Sequence, residues 1–386
     1  VSILETIYLD HAAATPVADH VVTAMLPYLS DIFYNPSSQY APAVQVRREY
    51  EEAKQQLAQS FGAKGDELII TAGATESINL AFHSTFGHVV TTAIEHPAVL
   101  ECAKQRDHTL VQPNDKGRVS VDDIVSVIRP DTQLVSVALA NNELGTLQPI
   151  RKITQAIDAI REERRLAANQ NPLYVHCDGS QGFGQVDVNV ARLGTDFLTL
   201  NSGKMYGPKQ VGLLWAKKHI SIHPIIVGGG QERGLRSGTE NVSGAIGFSA
   251  AATWSANHQS AEADRLKKLR DMLQQRITSG VPESVVLGDQ KHRLPGHLSI
   301  SFPGIDAERL VFMLERQGIY IATGSACSAN KNTASHVLTA IGLDDTIISG
   351  SIRLTLGKRT TEQSVERASA DIITAVKSEY ARMKKV

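Results

Sequence analysis

An aspartate and a lysine that each follow a short β-rich run could form one reactive centre. Asp178 follows residues 173–177, and Lys204 stands 26 positions later in Asn201-Ser202-Gly203-Lys204-Met205-Tyr206-Gly207-Pro208, just past the run 197–200. Either residue alone would be an ordinary surface charge. Placed at successive strand ends, they match what a pyridinium cofactor needs: a carboxylate that keeps the ring nitrogen protonated and an amine that forms a Schiff base. Three other strand ends carry candidate partners. Ala72-Gly73-Ala74-Thr75-Glu76-Ser77 opens into the apolar stretch 78–82. Its small residues allow close backbone approach and its free helix-start N–H groups suit a phosphate, the plain alternative being a small-residue N-cap turn. In Ile94-Glu95-His96-Pro97 the imidazole either caps a loop or serves as an aromatic platform and proton carrier over a planar cofactor. In Ala140-Asn141-Asn142-Glu143-Leu144-Gly145 an amide either shapes a connection or hydrogen-bonds a ring oxygen or a substrate carboxylate.

The elements that must position these residues read as an alternation. Short β-rich runs at 67–71, 89–93, 134–138, 173–177 and 197–200 alternate with helix-like segments, the pattern of a mostly parallel sheet covered by helices. Residues 150–166 place Ile153, Ile157 and Ile160 at helical spacing among charges, which predicts a surface crossover helix. After Trp254 the texture changes to a charged helix at 261–277, a strand at 298–302, a helix near 307–317, a strand at 351–356 and a last helix from about Thr361. This reads as a smaller α+β domain. In open α/β sheets ligands sit beyond the carboxyl ends of the strands, so the candidates above share one expected location.

Composition narrows the function. A chain of 386 residues exceeds one typical core, so a large and a small domain are expected. Lys and Arg total 39 against 40 Asp and Glu, a near balance that lacks the basic footprint of a direct nucleic-acid binder. No run approaches the ~18 apolar residues of a membrane span, and residues 1–16 lack the pattern of a secretory signal, which predicts a soluble, cytoplasmic protein. Three widely spaced cysteines argue against a disulfide framework and against a C-x-x-C metal site.

Taken together, Gly73-Ala74-Thr75-Glu76-Ser77, Glu95-His96, Asn141-Asn142-Glu143, Asp178-x-x-Gln181, Lys204-Met205-Tyr206-Gly207-Pro208, Arg236-Ser237-Gly238-Thr239 and Gly324-Ser325-Ala326-Cys327 follow the order seen in the cysteine desulfurases. The chain resembles that family from Tyr8-Leu9-Asp10-His11-Ala12-Ala13 to Ser351-Ile352-Arg353. The resemblance implies an α/β, fold-type-I pyridoxal 5'-phosphate enzyme that works as a homodimer, with each active site completed by the neighbouring subunit. It implies a large cofactor-binding domain at 15–258 and a small domain, 1–14 with 259–386, that carries the cysteine loop. By the same resemblance Ala74 and Thr75 hold the phosphate, His96 stacks on the ring, Asp178 pairs with the ring nitrogen, Gln181 bonds the ring oxygen and Lys204 is the linking lysine. Thr239 reaches the phosphate from the other subunit. Asn35, Asn142 and Arg353 hold the substrate amino acid, and Lys204, Cys327 and His96 carry the catalysis.

Two positions depart from the family pattern. Gly203 stands where the family usually has a phosphate-contacting histidine before the lysine, leaving Asn201 and Ser202 to compensate. Tyr40 stands where a histidine usually follows the Asn-Pro-Ser-Ser run at 35–38.

Cys327 lies in Ala322-Thr323-Gly324-Ser325-Ala326-Cys327-Ser328-Ala329-Asn330-Lys331, small and polar residues that cannot pack a core, whereas Cys102 and Cys177 fall in a helix and a strand and read as packing residues. Lys331 nearby would favour a thiolate. The expected activity is conversion of L-cysteine to L-alanine, with sulfur left on Cys327 as a persulfide for an acceptor protein in iron–sulfur cluster assembly or tRNA thiolation. A selenocysteine lyase, a sulfinate lyase or an aminotransferase of the same fold are alternatives, the last having no need of the thiol. A non-catalytic sulfur relay is a third reading, opposed by intact Asp178, Lys204 and Cys327.

Overall fold

The computed structural model describes residues 6–324 and 335–384. Thirteen strands are present among them. In chain order they are β1 (Ile7–Tyr8), β2 (Leu68–Thr71), β3 (His88–Thr92), β4 (His108–Val111), β5 (Thr132–Ala138), β6 (Tyr174–Asp178), β7 (Phe197–Asn201), β8 (Gly212–Ala216), β9 (Val285–Leu287), β10 (His297–Ser301), β11 (Ile319–Tyr320), β12 (Ala322–Thr323) and β13 (Ser351–Thr355).

Seven strands form the large sheet in the order β2-β8-β7-β6-β5-β3-β4. The run from β7 through β6, β5 and β3 to β4 is parallel, and β8 is inserted antiparallel between β7 and β2. Its strands β2, β3 and β8 are buried on both faces, as expected of a sheet covered twice by helices. Four strands, β12-β13-β10-β9, make a smaller antiparallel sheet, and β1 pairs in parallel with β11 beside it.

Two apolar cores match these two sheets. One is built from residues between Ala18 and Ala252, the other from Ile7 and Leu9 together with residues between Leu266 and Val376. The helix Val242–Gly280 runs through both, with Ala245, Phe248, Ala251 and Ala252 in the first core and Leu266, Leu269, Leu273 and Ile277 in the second. The sequence-based helix at 261–277 is therefore only the second half of a 39-residue helix. The first half escapes a periodicity reading because its small residues, Gly244, Gly247 and Ala250 to Ala252 among them, show no polar face to mark the period. The crossover helix falls at Ile150–Leu166 as read, with Ile153 and Ile157 buried. Among the described residues no helix is long and apolar enough to cross a membrane.

Candidate active site

The carboxyl ends of β3, β5, β6 and β7 face one cavity of about 280 Å³. Its lining includes Thr75, His96, Asn142, Asp178, Gln181, Asn201, Lys204 and Arg353. A second recess of about 550 Å³ shares Ala74, Thr75, Asn201 and Lys204 with it and adds Gly73, Gly203 and Lys209.

Asp178 is the last residue of β6, one position inside the strand rather than beyond it, and its Oδ1 accepts the Ser180 N–H at 2.9 Å. Two residues earlier on the same face, His176 is fully buried between Ser136 Oγ at 2.8 Å and Thr199 Oγ1 at 3.0 Å. Burial pushes its pKa down to about 4, so the site floor carries a neutral ring there. Glu95 is fully buried as well. Burial raises its pKa to about 8, against the Thr92 hydroxyl at 2.7 Å and the Ala138 N–H at 3.0 Å, which favour the ionised form.

His96 does two jobs at once. It is the N-cap of the helix Pro97–Lys104, its Nδ1 accepting the Ala98 N–H at 3.1 Å, and its ring lines the cavity. Burial lowers its pKa, with nearby Asp178 opposing and Lys204 reinforcing that shift, so the imidazole is predominantly neutral at pH 7. Lys204 follows β7 by one turn and donates to the carbonyls of Ala12 at 2.6 Å and Ala13 at 2.7 Å. Gln181 Nε2 reaches the same Ala12 carbonyl at 3.1 Å. These carbonyl groups carry no residue-type signal, so a reading of side chains missed the role of the 10–14 segment.

The small sheet contributes Arg353, from β13. It is buried, with Nη2 on Asp10 Oδ1 at 2.7 Å and Nη1 on the Asn142 carbonyl at 3.0 Å. Beside it Glu143 is buried and accepts from the Ser335 hydroxyl. Burial raises the Glu143 pKa to about 7, opposed by that hydrogen bond and by Arg353. Asn141 is structural: its Oδ1 takes the N–H groups of Glu143 and Leu144, and its Nδ2 donates to the Ile94 carbonyl.

Several assigned residues do not meet at this cavity within the single chain. Ser202 lies against Gly207, its hydroxyl buried with no partner among the described residues, and unlike Asn201 it does not line the recess. Asn35 is exposed just before a turn, its Oδ1 accepting the Ser37 N–H, and Thr239 is exposed in a bend. Tyr40 is exposed, just before the helix Ala41–Gln59. Cys327 and Lys331 lie outside the described residues. Cys177 is fully buried and Cys102 nearly so, and burial pushes both thiols up in pKa, as their assignment to packing requires.

The donor set suits a planar, phosphorylated ring with a basic nitrogen. The helix Ala74–His83 starts at Gly73, whose φ of 148° suits glycine and whose position lacks a capping side chain. A Cβ on Gly212 would come within 2.7 Å of the Gly73 Cα and 3.0 Å of the Ala74 nitrogen, so only glycine lets β8 pass under this turn. The N–H groups at the helix start are thus left open toward the recess. Two cavity-lining residues, Ser180 and Arg353, also carry buried polar atoms without a protein partner among the described residues, Oγ and Nε respectively.

Residues 7–368 match the aminotransferase class-V family model. Cysteine desulfurase IscS 1 of Archaeoglobus fulgidus is 40% identical over 372 residues, 93% of this chain and 94% of the relative. Among solved structures, a NifS-like protein superposes with a TM-score of 0.88 at 31% identity, covering 97% of this chain and all of that one. SspA in complex with cysteine superposes with a TM-score of 0.76 at 32% identity, covering 91% of this chain and 99% of that one.

Proposed function

The chain belongs to the aminotransferase class-V family and within it to the cysteine desulfurases, and from that premise we propose that it converts L-cysteine to L-alanine using pyridoxal 5'-phosphate held at Lys204. The observation that carries the reading is the convergence of Lys204, Asp178, His96 and Arg353 on one cavity, next to the open helix start at Ala74.

The Lys204 amine would provide the covalent link, the backbone at Ala74 and Thr75 together with Asn201 would hold the phosphate, and His96 would stack on the ring. Asp178 would keep the ring nitrogen protonated, and Gln181 would bond the ring oxygen. When bound, the group supplies a sink for the electron pair left on an amino acid's α-carbon. Arg353 receives the substrate carboxylate through its unpartnered Nε, with Asn142 beside it, and the Lys204 amine carries the α-proton.

The sulfur step needs a thiolate, and the chain has three cysteines. Cys102 and Cys177 are buried with raised pKa values, which leaves Cys327 as the nucleophile. Its thiolate attacks the substrate sulfur, so that an S–S bond forms as the C–S bond breaks. The electron pair goes to the carbon fragment, which takes up a proton and leaves as alanine. The persulfide on Cys327 then passes its outer sulfur to an acceptor, which we take to be an iron–sulfur scaffold or tRNA-thiolation protein in the cytoplasm.

We further propose that 15–258 holds the cofactor, that 1–14 with 259–386 carries the nucleophile, and that two chains complete each other's sites. Exposed apolar groups precede Asn35 and Thr239 in the chain. Leu29 and Phe33 lie near Asn35, and Ile226 and Val227 precede Thr239. Such patches suit burial against a second copy.

The test is an anaerobic assay with L-cysteine and a thiol reductant. Alanine and sulfide are expected in equal amounts, and in Cys327→Ser both should stop while L-cysteine still perturbs the cofactor spectrum. Alanine formation by Cys327→Ser at the parent rate would refute the persulfide route.

A further inference from the structure

We propose that Lys209 is a phosphate-binding residue of this site, its ammonium supplying the anion contact that Gly203 cannot make. The proposal rests on the cofactor reading above.

Gly203 is not in a left-handed conformation, and a Cβ built on it would meet Asn201 Oδ1 at 3.4 Å and the Lys209 Cγ at 3.7 Å, both ordinary contacts. The position could hold a side chain, and that side chain would set out beside the stem of Lys209. Lys209 lines the same recess as Ala74, Thr75 and Asn201, and its ammonium is anchored on the Thr15 carbonyl. Thr15 in turn bonds the Gly203 carbonyl, its N–H at 3.2 Å and its hydroxyl at 3.1 Å, so one residue fixes the distance between the glycine and the lysine.

The charges around the recess favour an anion near Lys209. The one carboxylate on its wall, Glu76, is already occupied, with Oε1 on Arg236 Nε at 3.0 Å and Oε2 on the Ala72 N–H at 2.6 Å. Among the described residues no carboxylate pairs with Lys209, whose pKa is lowered by burial alone. The Asn201 oxygen is likewise committed, to the Gly203 N–H at 3.0 Å. A cation held by a neutral carbonyl, lining the same recess as open helix-start N–H groups, is a receptor for a phosphate monoester dianion.

The test uses apoenzyme titrated with pyridoxal 5'-phosphate and, separately, with pyridoxal, which lacks the phosphate. Binding is followed by absorbance and by quenching of tryptophan fluorescence. In Lys209→Met the Kd for the phosphorylated compound should rise about tenfold or more, while that for pyridoxal stays within twofold. Lys209→Arg should retain the parent selectivity, and inorganic phosphate should compete less well in Lys209→Met than in the parent. Pyridoxal binding reports that each variant is folded. Equal weakening toward both compounds, or no change toward either, would overturn the Lys209 assignment while leaving the cofactor reading intact. Failure of the parent chain to bind pyridoxal 5'-phosphate would overturn both.

Discussion

Two sets of assigned residues behave differently in the single chain. His96, Asp178, Lys204 and Arg353 sit on strands or within a few residues of strand ends, and they converge on one cavity. Asn35 and Thr239 sit in exposed loops and line none of it. The first set is placed by sheet hydrogen bonds internal to the chain, as where Asp178 pairs in register with Ala138 on one side and Thr199 on the other. The second set has no such frame, and its neighbours Phe33 and Val227 leave 69% and 78% of their surface exposed. On the proposed reading the first set would build the chemistry within one chain, and the second set would act only once a second copy covers it.

Breaking the first set should have the larger effect. Asp178→Asn keeps the shape of the strand end and removes the charge that, on the proposed reading, holds the ring proton, so alanine formation should fall by about a hundredfold or more. The visible absorbance of the lysine-bound cofactor should persist, because Lys204 is untouched. An unchanged rate of substrate α-proton exchange, measured in deuterated water, would remove Asp178 from the mechanism.

Perturbing the second set should act through assembly. Val227→Asp places a charge on an exposed apolar patch and touches nothing in the cavity, so the secondary structure of the chain, read by circular dichroism, should be unchanged. Sedimentation velocity should show dissociation toward a single chain, and activity should fall several-fold and recover as protein concentration rises. A dimer as tight as the parent's would show that this patch is no interface.

The same contrast governs what the sequence could reveal. Strand ends in a parallel α/β sheet are legible because apolar runs stop at polar residues, and so Asp178, Lys204 and His96 could be picked out before any geometry was known. The antiparallel β8, Gly212–Ala216, was not read as a strand. Its role depends on Gly212 clearing the turn at Gly73, a contact between positions far apart in the chain. The Ala12 and Ala13 carbonyls were equally invisible, since every residue has one. Arg353 could be assigned from its place in a motif, but its partner Asp10 is 343 positions away, and only the packing of the N-terminal segment against the small sheet brings them together. Ser202 read as a phosphate ligand by proximity to Lys204. The turn after β7 instead directs it into the core beside Gly207.

The central claim is that a single lysine, held between the Ala12 and Ala13 carbonyls and facing Asp178 across the cavity, carries the cofactor. Borohydride reduction of the purified holoenzyme, followed by proteolysis and mass spectrometry, tests it most directly. The account predicts one phosphopyridoxyl group per chain, on Lys204, and none on Lys209 or any other lysine. A reduced adduct mapped to another residue, or the same adduct yield in Lys204→Ala, would contradict it.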